Sequence, residues 1–149
     1  MMGTISETVK GGGGETIGII PKALLAREVG REDLPELRIV RSMHERKAMM
    51  VELSDGFIAL PGGFGTFEEF CEIVTWAQLG LHSKPVGLLN VESYFDPLIE
   101  QFDRAVREDF AFAENRELIL HETNPDRLLD LMERYQSPDV EQWIDPDEA

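Results

Sequence analysis

The chain has 149 residues, a length typical of one domain. Fourteen Lys and Arg against 29 Asp and Glu residues give a formal net charge of −15, which repels phosphate backbones and argues against nucleic-acid binding. The hydrophobic content of 42% is too high for a disordered acidic segment, and no apolar run approaches the roughly 20 residues of a membrane helix. We see no signal peptide, and the single cysteine, Cys71, fits a reducing cytoplasm. Such a charge suits a halophilic protein or an ordinary acidic cytosolic one.

Hydrophobic periodicity, caps and Gly or Pro breaks predict helices that alternate with short apolar strands. This alternation indicates an α/β fold with a parallel sheet flanked by helices. We expect one domain over residues 1–135 and a loose acidic tail over 136–149. The predicted elements are a helix over 1–10, a strand over 16–20, a short helix or loop over 21–29, a strand over 37–41, a helix over 43–53, a strand over 57–60, a helix over 67–79, a strand over 85–90, a helix over 95–107, a strand over 117–120 and a helix over 125–135.

Two of the predicted helices carry specific local signals. Ser42 and Glu45 form a capping-box pattern before the helix over 43–53, whose Met43, Met50 and Leu53 fall on one side. The helix over 67–79 is predicted to bury one apolar stripe, on which Cys71 is a small buried residue rather than a nucleophile. That stripe consists of Phe67, Phe70, Cys71, Val74 and Ala77.

The most informative stretch is Pro61-Gly62-Gly63-Phe64-Gly65-Thr66, which lies between a predicted strand and a predicted helix. Glycines allow a ligand to approach the backbone closely, and free N–H groups at a helix N-terminus favour an anion such as phosphate. Ligands of α/β sheets bind beyond the carboxyl ends of the strands, where this loop lies. The pattern favours a phosphate-binding loop, and the alternative is an ordinary strand-to-helix turn.

The carboxylates that follow the loop have two interpretations. Thr66 and Glu69 have capping-box spacing, and acidic residues suit the first turn of a helix. Alternatively, Glu68 or Glu69 faces the bound phosphate and serves chemistry. Spacing alone leaves both open.

The tandem basic residues Arg46 and Lys47 lie on the helix before the loop strand and could meet an anion. The alternative is a solvated basic pair bonded to nearby glutamates. His44, His82 and His121 are scattered, without metal-binding spacing, and are predicted to lie on the surface or in loops.

These residues resemble a known family. Pro61 to Glu69 resembles the P-G-G-x-G-T-x-x-E signature of the LOG (LONELY GUY) family, and Met43-His44-Glu45-Arg46-Lys47-Ala48 resembles its M-H-x-R-K-A motif. The segments L-S-D-G-F-I-A-L, T-W-A-Q-L-G-L-H and K-P-V-G-L-L-N are also similar, and the resemblance extends from Met2 to about Tyr135.

The resemblance implies a Rossmann-like fold and a cytokinin riboside 5′-monophosphate phosphoribohydrolase, which hydrolyses the N-glycosidic bond of N6-modified AMP, or AMP, to free base and ribose 5-phosphate. It implies a homodimer with the active site near the subunit interface. The hydrolysis itself requires no metal or redox cofactor, and the cytoplasmic location is expected from the single cysteine. Arg46 and Glu69 fall on the catalytic pair of the family. The substrate-binding positions are Glu28, Lys47, Gly62, Gly63, Gly65, Thr66, Glu68 and, less closely, Thr75.

The chain departs from the family at its beginning. The family starts with a strand carrying a G-S-S-like turn and a second strand ending in a G-G-G turn, whereas Met1-Met2-Gly3 aligns with the helix that follows. We therefore expect a fold truncated at its N-terminus relative to the family, through a misassigned start or a genuine loss that exposes apolar sheet surface. The alternatives to an enzyme are a nucleotide-binding module without catalysis and a defective fragment with neither property.

Overall fold

The computed structural model describes residues 2–25 and 36–138. The chain forms two compact units, Met1–Leu53 and Ser54–Ala149. The single domain expected over residues 1–135 stays a prediction. Most of the tail predicted over residues 136–149 lies outside the described residues.

The first unit contains two parallel strands and their helices. Strand β1 (Ile17–Pro21) pairs with β2 (Glu36–Val40), with Ile17 opposite Glu36 and Pro21 opposite Val40. Its helices are α1 (Met2–Gly11), the one-turn α2 (Lys22–Leu25) and α3 (Met43–Leu53). The predicted strands are therefore present, each displaced by one residue, and so are the predicted helices over 1–10 and 43–53. Residues 26–29 of the helix or loop predicted over 21–29 lie outside the described residues.

Burial in the first unit differs from the apolar pattern of its sequence. Val40 is buried, whereas Ile39 of the same strand is 55% exposed. Met43 and Leu53, on the predicted apolar side of α3, are exposed, and the buried residue of this helix is Lys47. The side of α3 on which Met43, Met50 and Leu53 fall is therefore exposed at both of its ends.

The second unit contains a three-stranded parallel sheet of order β3-β4-β5. The register places Phe57 opposite Val86 and Val86 opposite Ile119. These pairings confirm the predicted α/β fold with parallel strands. The elements of this unit are β3 (Phe57–Ala59), α4 (Phe64–Gln78), β4 (Val86–Leu89), a 3-10 turn (Val91–Ser93), α5 (Asp96–Arg107), α6 (Ala113–Glu117), β5 (Ile119–Glu122) and α7 (Pro125–Glu133).

Helix α6 and strand β5 of the second unit differ from the prediction. The five-residue helix α6 was not predicted because it is too short to show a hydrophobic period. The last strand begins at Ile119 and continues to Glu122, because its backbone pairs with β4 as far as Leu89 opposite Glu122. The apolar letters of the sequence end at Leu120, so the polar end of the strand was missed.

The core of the second unit lies between the central strand and the helices. Val86 and Leu88 of β4 and Leu128 of α7 are at most 1% exposed. A Cβ atom at Gly87 would lie 3.0 Å from the Leu128 side chain, so a glycine allows α7 to pack closely on this strand.

Helix α4 buries a face that differs from the predicted stripe. The buried residues are Phe70, Ile73 and Ala77, whereas Cys71 is exposed. The prediction that Cys71 is a buried small residue was wrong, because the face of α4 that packs on the core is centred on Ile73 rather than on the line through Cys71 and Val74.

Candidate active site

The Gly-rich loop follows the carboxyl end of β3 and leads directly into α4. Helix α4 begins at Phe64 with Gly63 as its N-cap, so Gly65 and Thr66 belong to the first helical turn. The Gly63 carbonyl accepts hydrogen bonds from the Thr66 N–H at 3.0 Å and the Phe67 N–H at 3.2 Å. The helix therefore starts three residues earlier than predicted and directs its N-terminal N–H groups, which favour an anion, at the end of the loop.

The three glycines of the loop have different surroundings. A Cβ atom at Gly62 would collide with the Thr66 side chain, whereas one at Gly63 or Gly65 would meet no atom within 4 Å. Gly63 has an ordinary φ of −95°, and Gly65 is not among the glycines of positive φ. Among residues 2–25 and 36–138, neither packing nor backbone conformation requires glycine at 63 or 65, and Phe64 between them is 93% exposed. This side of the loop is open.

The proposed capping box between Thr66 and Glu69 is not present. The N-cap is Gly63, which has no side chain to cap the helix, and Thr66 is the third helical residue. Its hydroxyl instead lies against Gly62. Glu69 is half-buried and three residues further along the helix, on the same side as Thr66, whereas Glu68 is exposed. The capping-box explanation for Glu69 is thereby removed.

A tyrosine that the sequence analysis missed contacts the loop. The Tyr94 hydroxyl donates a hydrogen bond of 2.6 Å to the carbonyl oxygen of Gly62, across 32 positions of sequence. Tyr94 follows β4, the neighbour of β3 in a parallel sheet. Because parallel neighbours end at the same edge, the segment after the P-V-G-L-L-N strand was the signal that could have led to it.

The segment that carries Tyr94 is fixed by a buried asparagine. Asn90, 5% exposed, accepts a hydrogen bond from the Phe95 N–H and donates one to the Asp96 carboxylate, both at 2.7 Å. Its own N–H donates to the Glu122 carbonyl at 2.8 Å. The hydrogen bonds from Asn90 and then Ser93 lower the pKa of Asp96. These hydrogen bonds therefore join the loop after β4 to the start of α5 and to the end of β5.

The basic pair lies on α3, in the first unit. Its helix start is capped by Ser42 as predicted, since the Glu45 N–H donates to the Ser42 hydroxyl at 3.1 Å. The Glu45 carboxylate accepts from the Arg41 N–H at 2.7 Å, one residue before the position that a capping box uses. Lys47 is only 7% exposed and Arg46 is half-buried. The alternative of a solvated basic pair is therefore wrong for Lys47.

Two further predicted binding residues lie apart from the loop or outside the description. Thr75 is nine residues beyond Thr66 on α4, about 13 Å along the helix axis, and its hydroxyl donates to the Cys71 carbonyl at 2.7 Å. Thr75 borders a separate cavity of about 170 Å³ between α4 and α5. Glu28 lies outside the described residues.

The three histidines and Cys71 differ in their exposure and hydrogen bonding. His44 and His121 are exposed, as predicted, whereas His82 is a half-buried loop residue. Its Nε2 lies 2.9 Å from the Ile73 carbonyl and its Nδ1 accepts from the Lys84 N–H at 3.1 Å. Burial lowers the pKa of His82. Although Cys71 is an exposed residue, its thiol is partly buried, and this raises the pKa of the thiol. Over residues 2–25 and 36–138, no group of three His, Cys, Asp or Glu side chains could hold a metal ion, and no helix could cross a membrane.

The fold and the loop together define a Rossmann-like α/β protein with a Gly-rich turn at the carboxyl edge of a parallel sheet. The chain belongs to the LOG family: residues 2–132 match the family model described as "Possible lysine decarboxylase". It is 50% identical over 135 residues to LOGL1 of Oryza sativa subsp. japonica, a "Probable cytokinin riboside 5′-monophosphate phosphoribohydrolase", covering 91% of this chain and 60% of that protein.

A second relative comes from another plant. The chain is 50% identical over 135 residues to LOG2 of Arabidopsis thaliana, a "Cytokinin riboside 5′-monophosphate phosphoribohydrolase", covering 91% of this chain and 63% of the relative. The chain thus spans about 60% of the length of the curated relatives it matches.

Proposed function

We propose that the protein hydrolyses the N-glycosidic bond of purine nucleoside 5′-monophosphates, N6-modified AMP and AMP among them, to free base and ribose 5-phosphate. The observation that carries this proposal is the 50% identity, over 91% of the chain, to proteins named for that activity. The open glycines at the start of α4 support it, because they leave room for a phosphate against the backbone.

The proposed reaction breaks the C1′–N9 bond. The bonding electron pair leaves with the base, the oxygen of a water molecule bonds to C1′, and a proton of that water goes to the base. Positive charge builds up on the ribose as the bond breaks, and a carboxylate beside C1′ stabilises that charge and orients the water, by analogy with glycoside hydrolysis. We assign this role to Glu69, which stands on the Thr66 side of α4.

The remaining site residues bind the nucleotide. The N–H groups of Gly63, Phe64 and Gly65 and the Thr66 hydroxyl would anchor the phosphate, whose binding energy positions the bond to be cleaved. Arg46 would fix the nucleotide or stabilise the departing base, because a guanidinium is a permanent cation and a poor general acid. The residues Glu28, Lys47, Gly62, Glu68 and Thr75 complete the proposed set.

The test is the substitution Glu69→Gln, which preserves shape and removes the charge. We expect base release from AMP and N6-isopentenyl-AMP, followed by chromatography, to fall at least about 100-fold, with an unchanged melting temperature. Glu100→Gln, at an exposed carboxylate of α5, is the control. Base release at the wild-type rate in Glu69→Gln would overturn the role of Glu69.

The wild-type protein separates the alternative functions. AMP binding by calorimetry without base release over hours would favour a nucleotide-binding module, and no binding would favour a defective fragment. The family description also names lysine as a substrate. Release of CO₂ from lysine, without base release from AMP, would contradict our proposal.

We propose that the protein acts as a homodimer in the cytoplasm. A dimer is expected from the resemblance to the family, and exposed apolar side chains such as Ile39 support association. Analytical ultracentrifugation should give twice the chain mass, and a monomer at all concentrations would contradict this proposal.

A further inference from the structure

The loop after β4 reaches the Gly-rich loop through a single side chain. The Tyr94 hydroxyl donates to the Gly62 carbonyl at 2.6 Å, well within the range of a strong hydrogen bond. Tyr94 is 46% exposed, so burial of its ring does not account for its position. What distinguishes it is the backbone group that it contacts.

That backbone group belongs to the peptide that enters α4. A trans peptide is planar, and its C=O and N–H groups point in opposite directions. By holding the Gly62 carbonyl, Tyr94 turns the N–H of Gly63 to the opposite side of the loop. A Cβ atom at Gly63 would meet nothing within 4 Å, so there is free space around this residue.

The ring of Tyr94 belongs to a row of three packed aromatic rings. It packs edge-on against Phe95 with ring centroids 5.1 Å apart, and Phe95 packs edge-on against Phe67 of α4 at 6.4 Å. Phe95 is only 1% exposed. The aromatic row therefore ties Tyr94 to the first turns of the helix whose N-terminus forms the loop.

The backbone before Tyr94 adopts an unusual conformation. Glu92 and Ser93 both have positive φ values, 52° and 59°. Residues other than glycine rarely adopt this region. The hydrogen bonds of buried Asn90 to Phe95 and Asp96 hold this segment in place. Such conformations concentrate at sites where a precise side-chain position matters.

We propose that Tyr94 is a positioning residue of the nucleotide site, which orients the Gly62–Gly63 peptide so that the Gly63 N–H is ready to bind the substrate phosphate. This inference rests on the proposed function. It adds a residue that touches neither the sugar nor the base and acts through the loop backbone.

The substitution Tyr94→Phe tests this role, because it keeps the aromatic contacts and removes only the hydroxyl. Loss of one hydrogen bond that prepares the site should raise KM for AMP about five- to tenfold. The value of kcat should stay within about twofold, since phosphate binding is shared by substrate and transition state. Tyr135→Phe, at the other tyrosine of the chain, is the matched control.

A second measurement needs no substrate. In the protein without nucleotide, Tyr94→Phe should speed amide hydrogen exchange at Thr66 and Phe67, whose N–H groups donate to the Gly63 carbonyl, and leave exchange in β4 unchanged. Unchanged exchange would overturn the inference, because the loop would then be held without the hydroxyl.

The kinetic outcomes separate this inference from the proposed function. A wild-type protein that neither binds nor cleaves AMP overturns both. An active wild type with the same KM in Tyr94→Phe overturns the inference alone. A lower melting temperature with kcat and KM changed together would indicate a general structural role and would also overturn it.

Discussion

Gly62, Gly63 and Gly65 are glycines for different physical reasons. At Gly62 the Thr66 side chain occupies the place of a Cβ atom, whereas the places at Gly63 and Gly65 are empty. The first glycine serves the fold, and the other two leave space at the surface of the loop. Alanine at position 62 should therefore reduce stability, whereas alanine at position 65 should reduce nucleotide binding.

Gly65→Ala should leave the free energy of unfolding unchanged or raise it by up to about 1 kcal/mol, because alanine favours a helix. The same change should weaken AMP binding at least tenfold, or about 1.4 kcal/mol, because it adds a methyl group beside the phosphate. Denaturant unfolding and calorimetric titration measure the two effects. Unchanged AMP affinity would show that the open space at Gly65 is not used.

Gly62→Ala should lower the free energy of unfolding by about 1–3 kcal/mol, because the new methyl group displaces the Thr66 side chain. Adding Thr66→Ala should restore most of the loss, since it removes the colliding hydroxyl. If the double variant is as unstable as Gly62→Ala alone, the collision is not the cause.

His82 links stability to pH. Burial lowers its folded-state pKa below the ordinary value of 6.5, so the unfolded chain binds a proton more readily. Stability should therefore fall as pH decreases through about 6.5 toward the folded-state pKa. Melting temperatures from about pH 7.5 to 5.5 should drop less in His82→Gln than in the wild type.

His44→Gln, at an exposed histidine of α3, is the control for this prediction and should follow the wild-type profile. Equal slopes for His82→Gln and the wild type would show that another group causes the acid sensitivity.

At the scale of the element, the start of α3 determines where Arg46 and Lys47 lie. Ser42 accepts from the Glu45 N–H, and Glu45 accepts from the Arg41 N–H. Both bonds are local, and they satisfy N–H groups that the helix itself cannot. The cap therefore stabilises the helix that carries the proposed catalytic arginine.

Ser42→Ala should lower the free energy of unfolding by about 1 kcal/mol, because the Glu45 N–H loses its acceptor. Ser42→Asp should retain most of the stability, since a carboxylate also caps a helix. Denaturant unfolding measures both variants, and equal losses would mean that the hydroxyl contributes nothing as a cap.

At the scale of the whole molecule, the net charge of −15 dominates the electrostatics. Like charges repel one another in the compact state, and salt screens that repulsion. The melting temperature should therefore rise by at least about 4 °C between about 50 mM and 1 M KCl.

A variant with four fewer negative charges is the control. Its substitutions, all at exposed positions, are Glu100→Gln, Glu117→Gln, Asp130→Asn and Glu133→Gln. Its melting temperature should depend less on salt than that of the wild type. An equal or larger dependence would show that salt acts by some means other than screening.

The features that depend on neighbouring residues could be predicted from the sequence. The Ser42–Glu45 cap joins residues three positions apart, and the apolar strand Val86–Leu89 is readable because it is buried on both faces. The strand from Phe57, the Gly-rich turn and the helix after it were predicted because their residues are also neighbours in the sequence. The roles of Arg46 and Glu69 stay predictions.

Other features became visible only in the folded chain. Helix α4 starts at Phe64 rather than at the predicted Phe67. The prediction missed this start because the N-cap, Gly63, has no side chain that could indicate a cap. Cys71 is exposed because the packing of α4 selects one of two apolar lines on that helix. Tyr94 reaches Gly62 because parallel strands bring both loops to one edge of the sheet. Chain neighbours set local hydrogen bonds, whereas only the packed sheet sets which loops meet.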